Sequence, residues 1–243
     1  MGQLTLAIVS GGLAAGALLP REVDLAEEYG VSRGVARETI RAMEERGLVQ
    51  VRHGVGAVVA ESTDWDLLAP EVLRALLATA DGAQVLGQYI DTRRVIEIEA
   101  VSLAATLATP ADIARMRSEL SVMEDVAALS EKGNRLAERR FHEADLAFHQ
   151  SIFAAARNQV LASLVYRIHE ALYVARLALA RPQFRVERAL PEHQAIFEAI
   201  AAGDPARARE AMTAHLDTVA NYLLESDASE RGVRIEAEHS SAG

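Results

Sequence analysis

Gly30-Val31-Ser32-Arg33-Gly34-Val35-Ala36-Arg37-Glu38-Thr39-Ile40-Arg41-Ala42-Met43, running on through Gly47-Leu48-Val49 to His53-Gly54-Val55-Gly56, carries the densest local signal in the chain. Ser32 stands where a helix N-cap belongs, with a hydroxyl suited to accept a backbone amide of the following turn. Arg33, Arg37 and Arg41 follow at four-residue spacing and share one face of the helix it opens, from about Ser32 to Arg46. Val35, Ile40, Met43 and Leu48 are expected on the opposite, packed face. Gly47 closes the helix. Val49 to Val51 and Ala57 to Val59 then read as two short strands about a glycine-containing turn. Upstream, Asp24 to Tyr29 reads as a further helix ended at Gly30.

Helix, turn, helix, hairpin is the order of a winged helix-turn-helix, and the charge supports it locally. The 243-residue chain has a formal net charge of −10, which excludes a broadly basic nucleic-acid coat and leaves DNA contact to a focused patch. Between Arg33 and Arg52 there are five arginines against three glutamates, whereas residues 1–61 hold six arginines and eight acids. No cysteine is present, so thiolate zinc sites, cysteine nucleophiles and disulfide frameworks are excluded and metal chemistry falls to His and carboxylate. Leu4 to Leu19 is apolar, but no Lys or Arg precedes it and Gly11, Gly12 and Gly16 break it, so it reads as folded protein rather than an export signal. Leu6 stands where a myristoylation motif needs Ser or Thr. With no long uncharged apolar run downstream, the expectation is a cytoplasmic protein with no membrane partner.

From about residue 60 onward the apolar residues recur at helical spacing. Breaks at Asp81-Gly82, Thr109-Pro110, Gly133-Asn134, Arg157-Asn158, Arg181-Pro182 and Gly203-Asp204-Pro205 divide the region into helices near 67–79, 83–108, 110–131, 135–157, 158–180, 184–202 and 205–226. The fold class is therefore mainly α: an N-terminal winged helix-turn-helix followed by an all-α antiparallel bundle of about six or seven helices. The expected domains are residues 1–61 and 62–226, with a disordered polar tail at 227–243.

Leu19-Pro20-Arg21-Glu22, Leu25-Ala26, Gly30-Val31-Ser32-Arg33, Val35-Ala36-Arg37-Glu38, Gly47-Leu48-Val49 and His53-Gly54-Val55-Gly56 together resemble the head of GntR-type transcription regulators. The resemblance implies Arg33 and Arg37 in the major groove, and His53 with Gly54 reaching the minor groove, of a double-stranded, palindromic DNA operator read by a homodimer. Ser32, Arg41 and Arg21 complete the candidate DNA-binding set. One departure stands out: the family carries an Arg where this chain has Val23. Either Arg21, two positions earlier, replaces that phosphate contact, or operator affinity is weaker.

In the bundle, Asp145 and His149 lie one turn apart, while His193 and His215 sit on later helices, each on its helix's apolar face. His149 aligns with Asp145, Phe148 and Ile152; His193 with Ile196, Phe197 and Ile200; His215 with Ala208, Met212, Val219 and Leu223. Three imidazoles and a carboxylate suit a divalent metal, with zinc first and nickel, manganese or iron also compatible. His142 and His169 read as core histidines. Phe141 to Ile152 with Asn158, Glu192-His193-Gln194-Ala195-Ile196, Gly203-Asp204 and Ala214-His215-Leu216 resemble the FCD effector domain, whose metal-binding members use the same Asp/His/His/His pattern. That resemblance implies a small carboxylate effector held by the metal, with Arg93 or Arg94 completing the clamp. An ordinary pairing of these arginines with Glu97 or Glu99 is the alternative. Trp65 to Leu73 with Asp91-Thr92-Arg93-Arg94 is similar to sugar-acid regulators of the galactonate-repressor type, which implies a sugar acid ahead of lactate-like or dicarboxylic acids.

The expected function is a metabolite-responsive regulator, with repression the commoner arrangement in such a family, and no catalytic residue is assigned. Two other roles for the His/Asp set remain open: a metal-dependent enzyme acting on a small acid, and a purely structural metal. Against the enzyme, only Glu192 offers a separate acid or base, and a DNA-reading head would have no purpose.

Overall fold

Ser32 caps α3 (Arg33–Glu45) as its place in the sequence demands. In the computed structural model, which describes residues 1–129, 135–179 and 185–221, its hydroxyl accepts the backbone N–H of Val35 at 3.3 Å. Ala36, Ile40 and Met43 are buried along this helix. Val35, expected among them, is 51% exposed. Successive helical residues are about 100° apart, so it is Ala36 that completes the i, i+4, i+7 stripe with Ile40 and Met43.

α2 (Glu22–Glu28) packs on α3 through buried Leu25 and Ala26. After α3 the chain turns at Gly47, where φ is +70° and a Cβ would stand 1.9 Å from the Asp64 carbonyl oxygen. Only glycine accommodates both conditions. The antiparallel strands β1 (Val49–Arg52) and β2 (Gly56–Val59) pair Val49 with Val59 through Arg52 with Gly56. Leu18 bridges Val58 on the outer side of β2, with Leu19 donating its N–H to the Ala57 carbonyl at 2.8 Å. α1 (Gly2–Val9) buries Leu4 and Ile8 and packs on α4 (Pro70–Leu77). Sequence reading assigned no helix to this stretch, because apolar residues on both faces blur the period.

The chain divides into two compact units, the first comprising Met1–Val85 with Ala171–Ala175. The second is built mainly from α5 (Gly82–Leu107), α6 (Pro110–Leu129), α7 (Arg135–Ala155), α8 (Gln159–Leu179), α9 (Arg185–Ala201) and α10, helical from 205 to 221. α6 packs against both α7 and α9. The start of α6 is capped reciprocally: the Thr109 N–H donates to Asp112 Oδ2 at 2.8 Å and the Asp112 N–H to Thr109 Oγ1 at 3.4 Å. Gly203 takes φ +66° before Asp204, whose carboxylate accepts the Arg207 N–H at 3.0 Å and caps α10. Phe148, Ile152, Ile196, Met116 and Met212 form part of a single buried apolar cluster. Into that cluster the fold sets a small number of buried polar side chains.

The expected winged helix-turn-helix and helical bundle are both present. Among the described residues no helix is long and apolar enough to cross a membrane. The breaks expected at Gly133-Asn134 and Arg181-Pro182, the helix ends at 131 and 226, Leu223 and the tail 227–243 lie outside the described residues.

Candidate functional site

On the first unit, the face of α3 opposite the core presents Arg33, Arg37 and Arg41 to solvent. Arg41 spends part of its charge on Glu45, with Nε 3.3 Å from Oε1. Arg33 and Arg37, one turn apart, make no ion pair among the described residues. Their guanidinium groups, each with five donors in a rigid fork, are the most available cations on the helix. The helix is held in place from behind: Glu44 Oε1 accepts the Val51 N–H of β1 at 3.0 Å, and Arg46 donates to both carboxylate oxygens of Glu71 at 3.1 and 3.2 Å. His53 and Gly54 are exposed at the hairpin turn, Gly54 with φ +76°. Arg21 sits at the N-cap of α2 with its Nε 3.0 Å from Asp24 Oδ2. It is exposed but engaged, and the pairing holds the Asp24 carboxyl below its ordinary range.

On the second unit, α7, α9 and α10 bring Asp145, His149, His193 and His215 together, all of them buried. One ligand nitrogen from each imidazole lies within 4.8 Å of the others, a spacing that could hold a metal ion. His149 Nε2 is 3.1 Å from His193 Nε2, and Asp145 Oδ1 is 3.2 Å from His193 Nε2 and 3.9 Å from His149 Nε2. Ligand atoms at bond lengths of about 2.0–2.1 Å stand about 2.9 Å apart in an octahedron and about 3.3 Å apart in a tetrahedron. The two shorter separations fall between those edges, while the 3.9 Å separation is wider; the three imidazoles are spaced as a metal ion would need them, with Asp145 beside them. Burial drives the pKa of His149 well below the usual imidazole value, against the pull of Asp145 and with the help of the neighbouring imidazoles. Its ring is therefore neutral at neutral pH, the state in which imidazole binds metal.

Arg93 and Arg94, equivalent in sequence, separate in space. Arg94 is only partly buried and bridges Asp91 and Asp217 at 3.1 and 2.8 Å. Arg93 is 1% exposed and pairs with Glu97, Nε to Oε1 at 2.5 Å and Nη2 to Oε2 at 3.3 Å. Glu97 Oε1 also meets His169 Nε2 at 2.8 Å, and the His169 ring lies 5.4 Å from that of His149. Burial opposes ionisation of Glu97, but Arg93 and His169 outweigh it and hold the carboxyl well below its usual range. Among the described residues the buried Arg93 Nη1 group has no hydrogen-bond partner, which is expensive for a guanidinium unless a ligand or water supplies one.

Sequence reasoning placed Glu97 only as an ordinary pairing partner and His169 only as a core residue. The structure makes them the link between Arg93 and the imidazole cluster. The four-residue spacing of Arg93 and Glu97 was visible in the chain, but their burial was not. The partnership of His169 with Glu97 spans 72 residues and left no local trace.

A winged head with an unspent cationic helix face, joined in one chain to a helical unit enclosing buried polar ligands, defines a ligand-responsive transcription regulator. The chain belongs to the GntR family: residues 2–59 match the bacterial regulatory proteins of the gntR family, and residues 88–218 match the FCD domain. It is 32% identical over 221 residues to the HTH-type transcriptional regulator LutR of Bacillus subtilis (strain 168), covering 89% of this chain and 95% of that one. It is 29% identical over 208 residues to the galactonate operon transcriptional repressor of Escherichia coli (strain K12), covering 84% and 86%. A solved structure of Lar, which controls the Listeria monocytogenes agr system, shares the fold with a TM-score of 0.63 at 19% identity, over 92% of this chain and 94% of that one. The chain is thus a DNA-binding transcription regulator of the GntR/FCD type and not an enzyme.

Proposed function

We propose that this regulator is a repressor that binds a divalent metal and a small carboxylate effector in its FCD domain, and a palindromic operator through paired winged heads of a cytoplasmic homodimer. The observation that carries the reading is the convergence of His149, His193 and His215, with Asp145 beside them, on one buried point to which Arg93 is linked through Glu97 and His169. The reading head lies within residues 1–61 and the effector pocket within 62–226, with 227–243 outside both.

Arg33 and Arg37 are the primary major-groove contacts in this reading, with Arg41 behind them, Ser32 fixing the start of the helix, and His53 and Gly54 at the wing. Arg21 serves as a phosphate contact after release from Asp24. Asp145, His149, His193 and His215 hold the metal, zinc being the ion this donor set suits best and nickel, manganese and iron the alternatives. A bound ion there supplies a Lewis-acid site for a carboxylate oxygen. Arg93, oriented by Glu97, supplies its unsatisfied Nη1 donor to the same ligand. Arg94, committed to Asp91 and Asp217, stays outside the pocket. A sugar acid is favoured, since the chain resembles the galactonate operon repressor along most of its length. To relieve repression the effector must bind one of two conformations of the dimer more tightly than the other, because equal affinity shifts nothing.

A thermal-shift screen of metal-loaded protein against sugar acids, hydroxy acids and dicarboxylates, repeated on Asp145→Ala, tests the reading. A ligand at a hundred times its Kd stabilises by about 2.7 kcal/mol. The expected result is a hit that disappears in the variant. Stabilisation by metal alone, with no acid shifting the protein in either form, would identify a structural metal and defeat the effector assignment.

A further inference from the structure

We infer that Glu192 is a positioning residue for the metal site: its carboxylate fixes His215 in the tautomer that carries the proton on Nδ1 and the lone pair on Nε2. This deepens the metal-binding reading above and rests on it.

Glu192 stands one residue before His193 on α9, and its Oε2 lies 2.9 Å from Nδ1 of His215 on α10. His215 is 1% exposed, and its Nε2 is among the buried atoms of the site. A carboxylate accepts and does not donate, so Nδ1 must carry the proton of this bond. A neutral imidazole protonated on Nδ1 has its only in-plane lone pair on Nε2. Carboxylate, imidazole and metal in series are a recurrent arrangement that fixes ring orientation and raises the basicity of the ligand nitrogen.

The other two imidazoles are not preset in this way. His149 and His193 face each other Nε2 to Nε2 at 3.1 Å, a contact that does not by itself decide which nitrogen carries a proton. Among the described residues their buried Nδ1 atoms have no hydrogen-bond partner. Metal binding requires a lone pair on each Nε2, and for His215 the Glu192 carboxylate sets it in advance. Glu192 thus makes His215 the ready ligand of the three. One helix contributes both a candidate ligand and the group that orients another.

The test measures Zn²⁺ affinity of the full-length protein by competition with a chromophoric chelator, for the unaltered chain, Glu192→Ala, Glu192→Gln, His215→Ala and the double variant Glu192→Ala/His215→Ala. Loss of an outer-shell partner costs about 10–100-fold in metal affinity, and that loss is expected for Glu192→Ala. Glu192→Gln, whose amide oxygen still accepts from Nδ1, is expected to lose less. In the His215→Ala background, Glu192→Ala should cost nothing further. The same loss in that background would assign Glu192 to the fold in general and overturn the inference, as would unaltered affinity in Glu192→Ala. Should the alanine variant fail to fold, nitrogen-15 NMR of the unaltered metal-free protein decides: a proton on Nδ1 of His215 is expected, and a proton on Nε2 overturns it. Absence of Zn²⁺ binding by the unaltered protein would instead defeat the metal reading beneath it.

Discussion

The DNA-facing surface and the buried histidine cluster use polar residues in opposite ways. Arg33 and Arg37 project into water from one turn of a single helix, and among the described residues neither forms an ion pair. In water their charge costs little to maintain, and its field falls off within about 8 Å at physiological ionic strength. Asp145, His149, His193 and His215 come from three helices and are held away from water, where each polar atom left without a partner is expensive. The first surface is ready because it is undemanding. The second is demanding, and so requires the surrounding core to keep it assembled. Changes at α3 should therefore alter binding and spare stability, whereas changes at the cluster should alter both.

Arg93 puts that contrast to its hardest test. Arg93→Ala leaves the buried Glu97 carboxylate with His169 as its remaining partner among the described residues, and breaking a buried pair from one side costs about 3–5 kcal/mol. Denaturant unfolding should show a loss of that order, together with loss of acid-induced thermal stabilisation. Arg94→Ala removes an exposed bridge and should cost about 1 kcal/mol or less. Equal effects of the two substitutions would erase the distinction between the interior and surface arginines.

His193→Ala comes next. Its Nε2 is the atom common to the short contacts with His149 and Asp145, so metal retained after gel filtration and measured by elemental analysis should fall by more than about a hundredfold. Even outer-shell groups are worth about 10–100-fold. Operator binding by the heads should survive. Full metal content in the variant would show that the cluster is not the ligand set.

Arg37→Ala reverses the pattern. Operator affinity should drop by about 1–3 kcal/mol if the guanidinium reads a base edge, with metal content and melting temperature unchanged. If Arg37 contacts phosphate instead, binding weakens across all DNA sequences and the slope of log affinity against log salt falls by about one. Arg41→Ala should have the smaller effect, because Arg41 already shares its charge with Glu45.

How much of this was legible from sequence follows the same divide. The head is local: its cap, its three arginines, Gly47 and the hairpin lie within thirty residues of one another, and each announces itself by residue type and spacing. Val35 was misplaced because an apolar residue two positions from a helix start satisfies a pattern search, while its angular position, set against Ala36, decides burial. In the bundle, four-residue spacing put Asp145 and His149 on one face, and periodicity put His193 and His215 on apolar faces. That these faces meet was supplied by family resemblance rather than by spacing. Glu97, His169 and Glu192 show why the rest stayed hidden. Their roles depend on partners 23 to 72 residues away in the chain for the two His contacts, and charged residues on helices are far more often solvated than buried.

The smallest effect tests whether the head also hides a buried dependence of its own. Arg46, at the end of α3, reaches across to Glu71 on α4, and both side chains are about a quarter exposed. The hydrogen bond from Arg46 lowers the Glu71 pKa, against the opposing pull of partial burial. A carboxyl whose folded value is depressed contributes its stability in full above the ordinary value of 4.5, and that contribution disappears as pH falls through the depressed value. Urea unfolding of the unaltered chain and of Glu71→Gln, compared between about pH 6 and about pH 3, should therefore show a difference of at most about 1 kcal/mol at the upper end that closes toward the lower. Because the difference is taken between two chains that share every other carboxylate, the steeper acid response of Glu97 cancels from it. A difference constant over the whole range would mean that Glu71 supports the head through packing alone, and that α3 is held in position by apolar contacts without electrostatic help.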